Sequence, residues 1–462
     1  MPPRAPYTGK ERKLVLAFDV GTTFSGISYA ILDPNNEPKI HPVTRFPGRA
    51  LAGGDAKVPT VIYYTENGTV GAIGAETERE GFDALVEDSS WVKAEWFKLH
   101  LRPKTRTTSS VSEEIPALPP GKSAVDVFAD FLMYMKQCAK TYIEESHPVD
   151  GSGLWQSDKK EYILSHPNAW EGAQQTMMRK AAIQAGLITC SASDQERIHF
   201  ISEGEASLNF CLDRGLTNSS IKPNLPLDDL FLLTVFLVGG FAASDYLFAE
   251  VERRLQSHGF VVCRPDPHLN KAVPDGSIAG YLRPSVKTRV SKFTYGVRCS
   301  RVFDSFCDIE IARRASTMYR NLSGKLMVPG VFSEILVKNT QVSDTQEFRR
   351  SYREESLLKE GLAERNSTHI LCYRGTFLSP QFIDKDPENF HQVITINADT
   401  SSLVNQARLC TGLSGNYYEL EYDIVMLFGL TELKVQLAWK EDGTERRSPA
   451  EVVFDTEIEY KD

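Results

Sequence analysis

Two apolar runs with only four residues between them constrain this chain more than any other feature. Leu14–Val20 (LVLAFDV) and Ser25–Leu32 (SGISYAIL) flank Gly21-Thr22-Thr23-Phe24. Runs this close pair as an antiparallel β-hairpin. Asp19 stands at the end of the first strand, and Gly-Thr-Thr forms the turn. A glycine there lets backbone approach an anionic group, and the following N–H groups and threonine hydroxyls donate to it. A lone carboxylate beside them suits a hydrated Mg²⁺, which keeps most of its waters. The pattern predicts a phosphate-binding hairpin with Asp19 at the metal and Gly21, Thr22 and Thr23 at the phosphates. The competing reading is an ordinary hairpin with a polar turn.

The rest of the chain to about residue 300 alternates strands and helices. Residues 1–12 read as a disordered tail. Lys57–Tyr64 and Thr69–Ile73 flank Asn67-Gly68 and predict a second hairpin. Residues 102–123 read as a Thr-, Ser- and Pro-rich loop. Ala124–Glu145 carries Val127, Phe128, Phe131, Leu132, Met135 and Cys138 at helical spacing. Glu161–Ser165, Arg197–Ile201, Leu232–Val238 and Phe260–Cys263 predict strands. Gly172–Ala185, Glu203–Leu212 and Ser244–Ser257 predict helices, with Gly186 and Gly215 as stops. Residues 217–228 (TNSSIKPNLPLD) read as a loop. Strand, glycine-bearing turn and helix in repetition argue an α/β domain. From residue 301 the texture becomes short alternating runs, with a hairpin turn at Glu441-Asp442-Gly443-Thr444 and a charged helix-like stretch near 346–364. This part predicts a mostly β domain.

Composition narrows the function classes. Among 462 residues, 41% are hydrophobic and 24% charged, ordinary for a globular chain. The net charge of −9 argues against nucleic acid as the main partner. Eight cysteines form no CxxC pair and fit no zinc template. With no apolar run of signal length after the polar, basic start, reduced thiols in the cytosol or nucleus are the expectation, and a cytoplasmic location is the reading taken. Leu230–Ala243 (LFLLTVFLVGGFAA) is too short for a membrane span and reads as a buried strand.

Five segments in order resemble the 70-kDa heat-shock protein family: the hairpin at Asp19–Ser25, Glu161–Gly186, Arg197–Ser207 (RIHFISEGEAS), Val238–Leu247 (VGGFAASDYL) and Asn270–Tyr281 (NKAVPDGSIAGY). The resemblance implies an actin-like ATPase (ribonuclease H-like) fold that binds ATP and Mg²⁺. It implies that Lys98 orients the attacking water, the other reading being a solvated surface lysine. Pro167 and Glu203 would relay between the nucleotide and the substrate domain. Gly239 and Gly240 would underlie the adenosine, with Asp275 nearby or serving as a helix N-cap. Phe24 replaces the usual Tyr, and Ser202-Glu203-Gly204-Glu205-Ala206 departs from the familiar Glu-Pro form. Val331–Val337, Tyr422–Trp439 and Asp442–Ala450 resemble the heat-shock 70 kDa protein 12 group and not the ordinary peptide-binding sandwich with its lid.

One part of the family pattern is missing. A second phosphate hairpin, Asp-x-Gly-Gly-Gly-Thr, belongs between Glu203 and Gly239. Residues 208 to 237 hold only the faint likeness Asp213-Arg214-Gly215-Leu216-Thr217, which reads better as a helix end. The expected organisation is therefore lobe I at 13–216, a linker at 217–230 across the apparent deletion, an incomplete lobe II at 231–300, and a β-rich domain at 301–462. Such a gap implies a truncated isoform or a mispredicted gene product. It also implies an apolar face, including Phe231–Phe236, left uncovered or repacked. The function implied is a chaperone-like ATP binder acting on client proteins, with hydrolysis weak or lost. The alternative is a nucleotide-free pseudo-ATPase acting as an interaction protein. A sugar or glycerol kinase shares the Asp-x-Gly-Thr-Thr start but not the later segments.

Overall fold

The computed structural model describes residues 4–47, 56–102, 115–168, 170, 172–214, 234–265, 269–286, 288–304, 317–343, 346–363, 367–397, 401–413, 415–428, 432–448 and 451–452. Gly215, the 217–230 linker and Phe231 fall outside the described residues. The chain divides into two compact units: Met1–Trp170 with Gln174–Val286, and Glu171–Ala173 with Lys287–Asp462. Both contain sheets, and the whole is a mixed α/β protein.

In the first unit the hairpin forms as expected. Strands β1 (Lys13–Asp19) and β2 (Phe24–Leu32) pair antiparallel from Lys13 opposite Leu32 to Asp19 opposite Gly26. They belong to a sheet of order β3-β2-β1-β8-β9, where β3 is Ile40–Pro42, β8 Lys160–His166 and β9 Ile198–Ser202. β1, β8 and β9 run parallel. Residues 14–18 are almost continuously apolar because both faces of β1 are covered, as parallel strands require. Leu14, Leu16 and Phe18 join one core with Phe128, Phe131 and Leu132 of helix α1 (Ala124–Ser146). Val15 and Ala17 join a second core with Ala206 and Ile278. These belong to helices α3 (Glu203–Asp213) and α5 (Ala272–Leu282) on the opposite face. Helix α2 (Gly172–Gln184) ends before Gly186, whose φ of 65° suits a glycine stop.

The second hairpin is split. Pro59 cannot donate to a ladder, and the chain breaks there. β4 (Lys57–Pro59) leaves its expected partner and pairs with β2. β5 (Val61–Tyr64) pairs with β6 (Val70–Ile73) and with β7 (Val92–Glu95). The tail is ordered from residue 4: Arg4 pairs with Asp213, Arg12 with Asp33 and Asp150, and Tyr7 exchanges backbone hydrogen bonds with Asn35 and Asn36. Near the end of the unit, β10 (Thr234–Phe236), α4 (Asp245–Gln256) and β11 (Val261–Cys263) form one parallel strand–helix–strand element.

The second unit is built mainly from two antiparallel sheets around one core. The first has the order β14-β15-β13-β18-β19, from Tyr319–Arg320, Leu326–Leu336, Thr294–Val302, Ser367–Tyr373 and Phe390–Asn397. A two-stranded ladder, β12 (Thr288–Val290) with β16 (Gln341–Ser343), stands apart. The second large sheet has the order β17-β21-β22-β23, from Glu347–Ser356, Gly415–Phe428, Leu433–Glu441 and Thr444–Arg447. β20 (Arg408–Gly412) and β24 (Glu451–Val452) flank it. Val297, Ile370 and Ile396 meet Ile424, Met426 and Val435 between the sheets. The helix-like stretch expected near 346–364 is strand β17, with one short helical turn at Glu360–Ala363. Cross-strand ion pairs stabilise it there: Arg349 to Asp423, and Arg353 to Glu419 and Glu421. Asp442 and Gly443 both take positive φ, as an Asp-Gly hairpin turn requires. Seven cysteines are described as free, and no described helix is long and apolar enough to cross a membrane.

Candidate functional site

The parallel strands β1, β8 and β9 end on the same edge of the sheet, and their last residues build the site. Asp19 closes β1, Ser165 and His166 close β8, and Ser202 leads from β9 into Glu203, the first residue of α3. In open α/β sheets this edge is where ligands collect. The Ser202 hydroxyl caps α3 by accepting from the Glu205 N–H at 3.2 Å. Glu203 and Glu205 in the first turn suit the positive end of the helix.

Asp19 is 3% exposed. Its Oδ1 accepts from Ser165 Oγ at 2.8 Å and its Oδ2 from Lys57 Nζ at 3.0 Å. Burial alone would raise its carboxyl. The Lys57 and Lys98 ammonium charges, with the hydrogen bonds from Lys57 and Ser165, outweigh burial and hold it below the ordinary carboxylate range. Lys98 is 2% exposed, so it is not a solvated surface lysine. Its position follows from Phe97, which packs against Phe128 and Phe131 of α1 and turns the next side chain toward the sheet edge. Lys98 Nζ donates to Glu203 Oε1 at 2.6 Å and lies 5.7 Å from the centre of the Trp170 ring. The structure thus brings Asp19, Lys98 and Glu203 together.

Gly21, Thr22 and Thr23 follow Asp19 after the single residue Val20. A Cβ on Gly21 would lie 2.1 Å from the Phe24 carbonyl, so the turn itself demands glycine. The Thr23 carbonyl accepts from the Thr60 N–H at 2.8 Å. Thr22 is half-buried and Thr23 is exposed. The Pro167 carbonyl accepts from the Trp170 N–H at 3.0 Å, and Asn168 Oδ1 accepts from the Gly204 N–H at 3.0 Å. This ties the loop after β8 to the start of α3.

Gly239 and Gly240 lie elsewhere, in the turn between β10 and α4. Gly239 has φ of 90° and open space where a Cβ would stand. Val238 and Phe236 pack on Phe210 and Cys211 of α3 and on Ala272 of α5. Asp275 is not an N-cap: Lys271 holds that position, and Asp275 is the fourth residue of α5. It is buried and accepts from Ser28 Oγ of β2 at 2.5 Å, with Arg214 at 3.7 Å. Burial pushes its carboxyl up against the opposing effects of Ser28, Arg214 and Lys271.

Sequence reasoning passed over Lys57, Ser165 and Trp170. Ser165 could have been found, because it ends a predicted strand of the same α/β domain as Asp19. Lys57 had no signal without the β2–β4 register.

The donor set does not fit a Mg²⁺ ligated at Asp19. Both Asp19 oxygens already accept, one of them from an ammonium, and Glu203 faces a second ammonium. Among the described residues no group of three or more His, Cys, Asp or Glu could hold a metal. The expectation of Asp19 as a metal ligand therefore finds no support in this geometry. The glycine-tight turn, with Thr22 half-buried and Thr23 exposed, follows an Asp19 held by two ammonium groups and does suit a phosphate chain.

The chain is 29% identical over 260 residues to heat shock 70 kDa protein 12A of Mus musculus, covering 54% of this chain and 35% of that protein. It is 29% identical over 202 residues to heat shock 70 kDa protein 12B of Homo sapiens and 30% identical over 202 residues to human 12A. Each human match covers 43% of this chain and 28% of the relative. The matched region spans about a third or less of these curated relatives. No family model matches the chain.

Proposed function

The chain is a relative of the heat-shock 70 kDa protein 12 group, and from that premise we propose that it binds the phosphate chain of ATP at the edge where β1, β8 and β9 end. The observation that carries this reading is the meeting of Asp19, Lys98 and Glu203 at that edge, beside the Gly21-Thr22-Thr23 turn. On an actin-like fold the adenosine would rest near Gly239 and Gly240. Glu203 and Phe210 support that placement. They lie seven residues apart on α3, about 10 Å at 1.5 Å per residue. One end of the helix serves the phosphates, and the other packs against the segment leading into the Gly239 turn.

Turnover is weak or lost in this reading. Phosphoryl transfer needs donors on several sides of the transferring group, and the sequence of residues 208–237 contains no second Asp-x-Gly-Gly-Gly-Thr motif. The role is then chaperone-like binding of client proteins in the cytoplasm, with nucleotide as ligand more than fuel.

The test is thermal unfolding of the full chain against increasing ATP. Binding to the folded state stabilises it by about 2.7 kcal/mol at a hundredfold excess over Kd. The melting point should therefore climb with ATP concentration, and a flat melting point at millimolar ATP rejects the reading. The alternative, a nucleotide-free interaction protein, draws on the internal neutrality of the cluster, two lysines against two carboxylates. It requires that Asp19→Ala leave client binding unchanged in a pull-down. Loss of client binding in a variant that still folds removes that alternative.

A further inference from the structure

We propose that Lys57 takes the place of the divalent cation at this site, so that the chain binds nucleotide phosphates through fixed ammonium groups and without metal. This rests on the nucleotide reading above and goes beyond it in naming the counter-charge.

Backbone register delivers Lys57 to the site. Asp19 pairs with Gly26 across β1 and β2, and Gly26 pairs with Lys57 across β2 and β4. The three residues therefore lie side by side on adjacent strands, and the β4 backbone, not a long mobile side chain alone, fixes where the ammonium starts. The Lys57 side chain is 20% exposed and that of Asp19 4% exposed, so the pair stands at the inner end of an open edge.

A hard divalent cation seeks carboxylate and water oxygens. At Asp19 it would find Oδ2 facing Lys57 and Oδ1 facing Ser165. A cation within reach of Oδ2 would also lie a few ångströms from the Lys57 ammonium, where like charges repel strongly in a poorly solvated site. Lysine binds phosphate as a compact point charge and needs no set coordination shell. Lys57 and Lys98 both act on Asp19, so two ammonium groups, balanced by Asp19 and Glu203, stand at the edge.

The experiment is isothermal titration calorimetry of ATP into the full chain, once with excess Mg²⁺ and once with EDTA. The expected result is a Kd in EDTA equal to or tighter than that with Mg²⁺, within about threefold. A Kd at least tenfold tighter with Mg²⁺ overturns the inference and leaves the nucleotide reading standing. No heat of binding in either buffer overturns the nucleotide reading, and the inference with it. In Lys57→Gln, binding in EDTA should weaken by about tenfold or more, and Mg²⁺ should recover part of it. Lys57→Arg keeps the charge and should stay metal-independent. If Lys57→Gln does not fold, the wild-type comparison and Lys57→Arg decide the question alone. An arginine variant that becomes Mg²⁺-dependent counts against the proposal.

Discussion

Asp19 and Asp275 are both buried carboxylates of the first unit, yet pH acts on them in opposite senses. Lys57 and Lys98 hold Asp19 below its unfolded value against the upward push of burial. Its contribution to stability is complete above the unfolded pKa of about 3.9 and is lost as pH falls through the folded value. Burial holds Asp275 above its unfolded value. Its contribution is complete below the unfolded pKa and is lost as pH rises through the folded one. Asp19→Asn leaves Lys57 without its buried counter-charge and Lys98 with Glu203 alone, a loss of about 3–5 kcal/mol near neutral pH. Denaturant titrations from pH 7 down to pH 3 should show the gap between wild type and Asp19→Asn narrowing below about pH 4, as the wild type protonates the same group. A gap of constant size across that range would mean that the charge of Asp19 contributes nothing to the fold.

Between elements, helices α3 and α5 approach each other closely. A Cβ on Gly276 of α5 would lie 1.9 Å from the Ala206 carbonyl of α3, and one on Gly280 would lie 2.4 Å from the Asn209 amide. Backbone blocks the first position, so relief requires the two helices to separate. Gly276→Ala should cost about 1–3 kcal/mol in a denaturant midpoint, as overpacking does. Gly153→Ala, where nothing lies within 4 Å of the new Cβ, should be neutral or slightly stabilising. Equal effects at the two positions would deny that α5 is clamped to α3. The α5 segment was marked only by resemblance; α3 was legible from local signals, as were the β1–β2 hairpin, α1 and the Asp442-Gly443 turn. Each is decided by residues within a few positions of one another. What stayed hidden depends on distant partners. β17 looked helical because its charges were counted along the chain, whereas their partners lie on β21. Asp275 obeyed the local N-cap pattern until Ser28, 247 positions away, claimed its carboxylate. Lys98 and Glu203 were named from resemblance, but their contact across 105 residues needed the fold. Lys57 was read as the start of a hairpin strand, and only its pairing with β2 turns it toward Asp19.

Across the molecule, stability should be unevenly spread, and the first unit shows why. β1 is paired on both sides and covered on both faces. The strand–helix–strand element at 234–263 has neither advantage. Its two strands pair only with each other among the described residues, and α4 contains no buried residue, with Tyr246 82% exposed. Local opening free energy follows buried apolar contact and backbone protection, and segments poor in both open without global unfolding. Amide hydrogen exchange followed by mass spectrometry should therefore find peptides from 234–263 exchanging about a hundredfold faster than those from 13–19 and 160–166. Saturating ATP should slow exchange near the Gly239 turn if adenosine rests there, while leaving the already protected β1 almost unchanged. Uniform protection across the first unit would mean that this element has a partner beyond those described, and that its exposed helix is covered in solution. Fast exchange unaffected by ATP would separate the Gly239 turn from the phosphate edge and restrict nucleotide contact to the residues around Asp19.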